Sequence, residues 1–145
     1  MSERVEQSVK YWTEFCIHLP QREGLEYRLP SVIARERHFI DFPMGTYILR
    51  AAQRVRRPVL DAGFILKGCD ATTYFEALQE QQAEIHSECG EPLVWEAHRE
   101  SEKCIVFLKE DTDVRDEKDW PNQHKWIVRK FEILNEVFRP RIERL

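Results

Sequence analysis

The amino-acid sequence predicts an α+β domain, with an antiparallel sheet of about five strands and three helices in the order α-β-β-β-α-β-β-α. Three segments repeat apolar residues at helical spacing, and shorter apolar or alternating segments lie between them. The connections between the short segments are too brief for the crossover helices that parallel strands require. A length of 145 residues fits a single domain, 1–145.

The first helix and the first strands are predicted from their patterns. Apolar residues recur every three or four positions from Val5 to Leu19, and Pro20 ends that helix. Turn-forming residues then separate three strand-like segments, Arg37–Phe42, Thr46–Val55 and Val59–Leu66. The last of these alternates so that one fully apolar face is expected to meet the helices.

The second half of the chain adds a helix, a hairpin and a last helix. The second helix begins near Asp70 and ends at Gly90, because glycine adopts the left-handed conformation that ends helices. The hairpin has strands at 93–97 and 104–109. In the last helix Trp120 is expected to pack at the start, and Pro140 to kink or end it near its C-terminus.

Composition indicates the class of protein and its compartment. The chain is 42% hydrophobic and 33% charged, which suits a folded domain with a solvated surface, and its net charge of -4 argues against a surface that is basic throughout. No secretory signal or membrane-spanning run is present, so we expect a cytoplasmic protein without a membrane partner. The four cysteines form no CxxC pair and are expected to be reduced thiols, mainly packed as small hydrophobes.

The segment AEIHSECGEPLVWEAH resembles a family signature, IE-x-E-x-G-x-x-L-x-W, through Ile85, Glu88, Gly90, Leu93 and Trp95. This is the signature of the uncharacterised bacterial family catalogued as domain of unknown function 4268. The similarity extends to YWTEF, FEAL and WIVRKFEILNEVFRPRI, and His86 stands where that family more usually has an acidic residue. Its members are short proteins or follow a nuclease-like domain, so the resemblance implies a role in nucleic-acid metabolism or in defence against foreign DNA.

Catalytic and metal-binding motifs are incomplete. A nuclease of the PD-(D/E)xK type needs an aspartate and an E-x-K element, but Asp61, Lys67 and Glu96 lack that spacing. No residue lies in a recognised nucleophile motif. The acidic loop 111–119 lacks EF-hand spacing, and His86 with Cys89 is only half of a zinc site. We therefore expect a non-catalytic protein with neither metal nor cofactor.

A basic cluster supplies the candidate binding residues. Guanidinium groups on one sheet face would bind phosphates, and a tyrosine would stack on a base. The candidates are Arg35, Arg37, Tyr47, Arg50, Arg54, Arg56 and Arg57. The alternative is a solvated face on which these arginines pair with Glu26, Glu36 or Asp41.

The sequence thus favours an interaction or regulatory module associated with nucleic-acid processing, with a protein or a nucleic acid as partner. Two other hypotheses stay open. One is direct nucleic-acid binding through the arginine cluster, and the other is a small enzyme that uses the sheet arginines and Asp61 in a cleft. A homodimer is also left open, since exposed aromatic rings would mark a protein-binding surface.

Overall fold

The computed structural model of the chain describes residues 3–18, 38–54 and 58–145. The described part has four helices and one sheet of five strands, together with two short 3-10 turns, so the predicted α+β class is confirmed. The elements are α1 (Glu3–His18), β1 (Phe39–Pro43), β2 (Ile48–Arg54), β3 (Val59–Lys67), α2 (Ala71–Gln79), α3 (Gln82–Cys89), β4 (Val94–His98), β5 (Lys103–Asp111) and α4 (Trp120–Glu143).

The sheet has the strand order β1-β2-β3-β5-β4, and every neighbouring pair is antiparallel. The meander β1-β2-β3 and the hairpin β4-β5 are both as predicted. Strand β5 lies between β3 and β4, so the hairpin strand with the longer apolar run is an interior strand and β4 is at the edge. Long strands at the centre and short ones at the edges limit the exposed backbone.

The core fills the space between one sheet face and the helices. On that face Phe64 packs 4.4 Å from Phe138 of α4, measured between ring centroids. Helix α1 adds Trp12 and Phe15, which are almost completely buried, and Phe15 contacts Phe131. Burial of each such side chain stabilises the fold by about 1.5–3 kcal/mol relative to its exposure.

The predicted second helix is divided into α2 and α3. The break follows Glu80, and the next residue, Gln81, leaves the helical region with φ -102° and ψ 15°. No large apolar residue occurs between Leu78 and Ile85, so nothing anchors a continuous helix to the core there. The break lets each half bury its own apolar residues. Gly90 ends α3 in the left-handed conformation, as predicted, with φ 79°.

The last helix passes through Pro140 and continues to Glu143, so Pro140 does not end it. Proline has no backbone N–H, so one hydrogen bond of the helix is missing at Pro140. Only the final turn of the helix follows that position. Buried Ile142 holds that turn against the core, and the Arg141 guanidinium donates to the Val137 carbonyl at 2.7 Å. Trp120 packs at the start of the helix as expected, with its indole N–H donating to the Val114 carbonyl at 2.7 Å.

None of the helices in the described ranges is long and apolar enough to cross a membrane.

Candidate functional site on the helix-free face of the sheet

One face of the sheet carries none of the described helices, and we call it the helix-free face. Strand alternation places on it the residues between the core positions: Phe39, Asp41, Pro43, Ile48, Arg50, Ala52, Val59, Asp61, Gly63, Ile65, Lys67, Val94, Glu96, His98, Lys103, Ile105, Phe107, Lys109 and Asp111. Ala52, Ile65 and Phe107 are buried there, yet they lie outside the main core cluster. The face therefore combines an apolar centre with charged residues around it.

Arg50 is bound to Asp41 on the neighbouring strand. Its Nε donates to Asp41 Oδ1 at 2.6 Å and its second guanidinium nitrogen donates to Oδ2 at 2.9 Å. The guanidinium also lies 4.0 Å from the centre of the Phe39 ring, and both charged side chains are largely buried. Pairing with Asp41 is what the alternative of a solvated face predicts for this arginine. Because the carboxylate neutralises it, Arg50 presents little free positive charge.

A row of basic residues crosses one end of the same face. Lys67 of β3 lies directly opposite Lys103 of β5, and Lys103 lies opposite His98 of β4. We call these three residues the lysine row. Burial, together with repulsion from Arg50 and Lys67, holds the pKa of Lys103 below its ordinary value. Like charges placed opposite each other destabilise a sheet, so an anion bound here would relieve the repulsion.

The sequence analysis missed the lysine row. Lys67 is the last residue of β3 and Lys103 is the first of β5, 36 positions along the chain. Only the register of the two strands brings them together. Lysine is common at the end of a strand, so neither residue stands out in the sequence. The pair of lysines can be recognised only when the pairing of β3 with β5 is known.

A groove of about 80 Å³ opens on the helix-free face. Its floor is at Gly63, which lies between Arg50 and Phe107 in the register of the sheet. A Cβ atom at Gly63 would stand 2.4 Å from the Val106 carbonyl oxygen and 2.5 Å from the Phe107 Cβ, so only glycine fits here. Glycine at this position lets β5 approach β3 closely. The groove is lined by His38, Phe39, Arg50, Ala52, Asp61, Gly63, Glu96, Ile105 and Phe107.

The predicted binding residues are not all brought together. Tyr47 lies on the core side: it is 5% exposed, its hydroxyl donates to Asn135 of α4, and its ring packs against Phe64. Its ring is therefore not presented for stacking on a base. Arg50 is on the helix-free face, and Arg54 pairs with Val59 at the end of β2, although its side chain is not described. Arg35, Arg37, Arg56 and Arg57 lie outside the described residues.

The candidate metal ligands take part in other contacts. His86 Nε2 accepts hydrogen bonds from the Trp95 indole at 3.0 Å and from the Leu93 backbone at 3.3 Å. In the acidic loop, Asp113 accepts from the backbone and side chain of Arg115. Within the described ranges no group of three or more histidine, cysteine or acidic residues is placed to hold a metal ion.

The family signature maintains the fold rather than forming the groove. Ile85 and Leu93 are buried, and Gly90 ends α3. Glu88 receives hydrogen bonds from two guanidinium nitrogens of Arg141, which ties α3 to the last turn of α4. Trp95 is held by His86 and packs against Phe75 of α2. The signature thus joins α3, β4 and α4.

Comparison with known proteins gives one match. A family model described as Domain of unknown function (DUF4268) matches residues 7–142, nearly the whole chain. No curated protein and no solved structure matches significantly.

Proposed function

The chain belongs to the DUF4268 family, and on that premise we propose that it is a non-catalytic interaction module of nucleic-acid processing. We further propose that the helix-free face is its contact surface and that the lysine row binds the phosphate backbone of a nucleic acid. The observation that carries the proposal is that Lys67 and Lys103 lie opposite each other on adjacent strands.

The placement of the two lysines supports an anionic partner. Neither forms an ion pair within the described part of the chain, whereas Arg50 on the same face has a carboxylate partner. Lys67 is exposed and Lys103 is half-buried, so both ammonium groups lie at a surface that a ligand can reach. Phosphate contacts made by lysine supply most of the sequence-independent affinity for nucleic acid.

The positions of the candidate catalytic residues favour a non-catalytic role. Asp61 and Lys67 lie at opposite ends of β3, six residues apart, which is about 20 Å along a strand. A metal-dependent nuclease needs its carboxylates and lysine around one phosphate. The groove does bring Arg50 beside Asp61, as the hypothesis of a small enzyme requires. However, the guanidinium of Arg50 is already bound to Asp41.

Fluorescence anisotropy tests the proposal. The purified chain is titrated into labelled single-stranded and double-stranded oligonucleotides over a series of salt concentrations, with and without Mg²⁺. We expect binding that weakens as salt rises, because bound lysines release counterions, and no cleavage with Mg²⁺. Absence of binding at low salt would overturn the nucleic-acid contact, and cleavage by the wild-type chain would overturn the non-catalytic role.

A further inference from the structure

His98 lies at the outer end of the lysine row, on the edge strand β4. It is paired directly opposite Lys103 of β5, and Lys103 is opposite Lys67 of β3. Because neighbouring strands lie about 4.8 Å apart, the three residues span about 10 Å across the sheet. The side chain of His98 is half-exposed, so a ligand on the row can reach its ring. A phosphate group between β5 and β4 would therefore lie close to both Lys103 and His98.

The net charge at this end of the sheet depends on the protonation of His98. Its Nε2 atom lies 3.5 Å from Oε1 of Glu96, two positions earlier on the same strand and on the same face. When His98 is neutral, the carboxylate of Glu96 opposes the binding of an anion. When His98 is protonated, the charges of Glu96 and His98 cancel, and the two lysines of the row act on the ligand without that opposition. Uptake of one proton thus makes the site more attractive to a phosphate.

Other charged groups surround His98. Lys103 faces it from β5, and Lys67 lies one strand further into the sheet. The turn that follows β4 adds Glu100 and Glu102, which are both exposed. Lysine and glutamate ordinarily change charge outside the range from about pH 5.5 to 7.5, whereas histidine changes charge within it. Burial and the repulsion of neighbouring cations lower the pKa of Lys103, so the test must separate the titration of this lysine from that of His98.

We propose that protonated His98 binds a phosphate of the nucleic acid together with Lys103, so that the affinity of the lysine row rises as pH falls from about 7.5 to 5.5. A bound phosphate stabilises the protonated ring more than the neutral ring, so binding takes up a proton and acid strengthens binding. Both ring nitrogens of a protonated histidine are donors, which allows one to contact Glu96 and the other the phosphate. This pH control rests on the proposed function and adds regulation to it.

Fluorescence anisotropy at two pH values tests the inference. The probe is single-stranded oligodeoxythymidine, because neither thymine nor the phosphodiester group changes charge between about pH 5.5 and 7.5. At constant ionic strength we expect the wild-type chain to bind about fivefold more tightly at the lower pH. This ratio corresponds to about 1 kcal/mol, the attraction of one added unit charge close to a phosphate in water.

Two variants locate the effect, and both change half-exposed side chains. His98→Gln keeps both lysines but cannot take up the proton, so its affinity should stay nearly constant over this pH range. Glu96→Gln removes the opposing carboxylate and should bind about fivefold more tightly than the wild type at about pH 7.5. His18→Gln, at the last residue of α1, is the control with the same change and should keep the wild-type pH dependence. Thermal unfolding at both pH values shows whether each variant is folded.

Three outcomes would overturn the inference. The first is equal affinity of the wild-type chain at the two pH values. The second is a pH dependence that His98→Gln leaves unchanged, which would assign the effect to another group such as Lys103. The third is a Glu96→Gln variant that binds no more tightly than the wild type at about pH 7.5. Failure of the proposed function itself is distinguishable, because the oligonucleotide would then bind at neither pH even at low salt.

Discussion

Lys67 and Lys103 lie directly opposite each other on β3 and β5, at one end of the helix-free face, and neither forms an ion pair with the residues that the structure describes. Two like charges at paired positions cost stability, typically about 0.2–1 kcal/mol. A fold that keeps such a pair without an ion pair to either lysine among the described residues has a position suited to an anion. This relationship is the basis of the proposed function.

Replacing either lysine should weaken binding to nucleic acid and leave the fold at least as stable. With Lys67→Gln or Lys103→Gln we expect the slope of log affinity against log salt for single strands to become shallower by about 0.7 for each phosphate that the variant no longer neutralises. The free energy of unfolding should stay constant or rise, because the repulsion is removed. Lys125→Gln, at an exposed position on α4, is the control with the same change in charge. Unchanged slopes in both lysine-row variants would contradict the account.

The ion pair between Glu88 and Arg141 should make stability depend on acid pH. Hydrogen bonds from Arg141 hold the pKa of Glu88 below its ordinary value of 4.5. A carboxyl whose pKa is lower in the folded state stabilises the fold above pH 4.5, and this contribution is lost as pH falls through the folded pKa.

Urea unfolding at neutral pH and at about pH 3 measures this contribution. We expect Glu88→Gln to lose less stability on acidification than the wild-type chain, whereas Glu84→Gln on the same helix should behave as the wild type. If all three proteins lost the same amount of stability on acidification, the ion pair would not contribute to the pH dependence of stability.

His86 should stabilise the fold as a hydrogen-bond acceptor for Trp95. Its Nε2 atom accepts the indole N–H at 3.0 Å, so His86→Ala leaves a half-buried donor without that partner. We expect a loss of about 1–3 kcal/mol in the free energy of unfolding. A double-mutant cycle with Trp95→Phe isolates the hydrogen bond, and a coupling energy near zero would assign the effect to packing alone.

The cysteines should differ in reactivity toward an alkylating reagent. Cys69 is exposed and should react first. Cys89 is buried, and desolvation raises its pKa to about 11, so little of the reactive thiolate exists at neutral pH. Mass spectrometry after brief treatment of the folded protein should find Cys69 modified and Cys89 unmodified until pH approaches 11. Rapid modification of Cys89 at neutral pH would contradict its buried position.

Much of the fold could be predicted because local signals agree with it. The alternation of Leu60, Ala62, Phe64 and Leu66 predicted which face of β3 meets the helices, and these four residues are buried in the core. Gly90 marked the end of a helix through its backbone freedom. The break between α2 and α3 was not predicted, because it depends on how each half packs rather than on a local breaker.

The candidate site was less predictable, since it depends on contacts between strands. The sequence allowed the arginines of the basic cluster to pair with any of several carboxylates. The register of β1 with β2 selects the pair Arg50 and Asp41, because it makes them neighbours. Tyr47 precedes β2 and its hydroxyl reaches Asn135, 88 positions away, which no local pattern indicates. Gly63 lines the groove, and the need for glycine there depends on the close approach of Phe107 on the next strand, which no local pattern indicates.

The most direct test of the central claim is a nuclear magnetic resonance titration of the isotope-labelled chain with a single-stranded oligonucleotide. We predict that the largest changes in backbone amide shifts occur on the helix-free face, at Lys67, Lys103 and Gly63, and decrease as salt is added. Shift changes confined to exposed positions of α3 and α4, or no changes at low salt, would contradict the claim that this face binds nucleic acid.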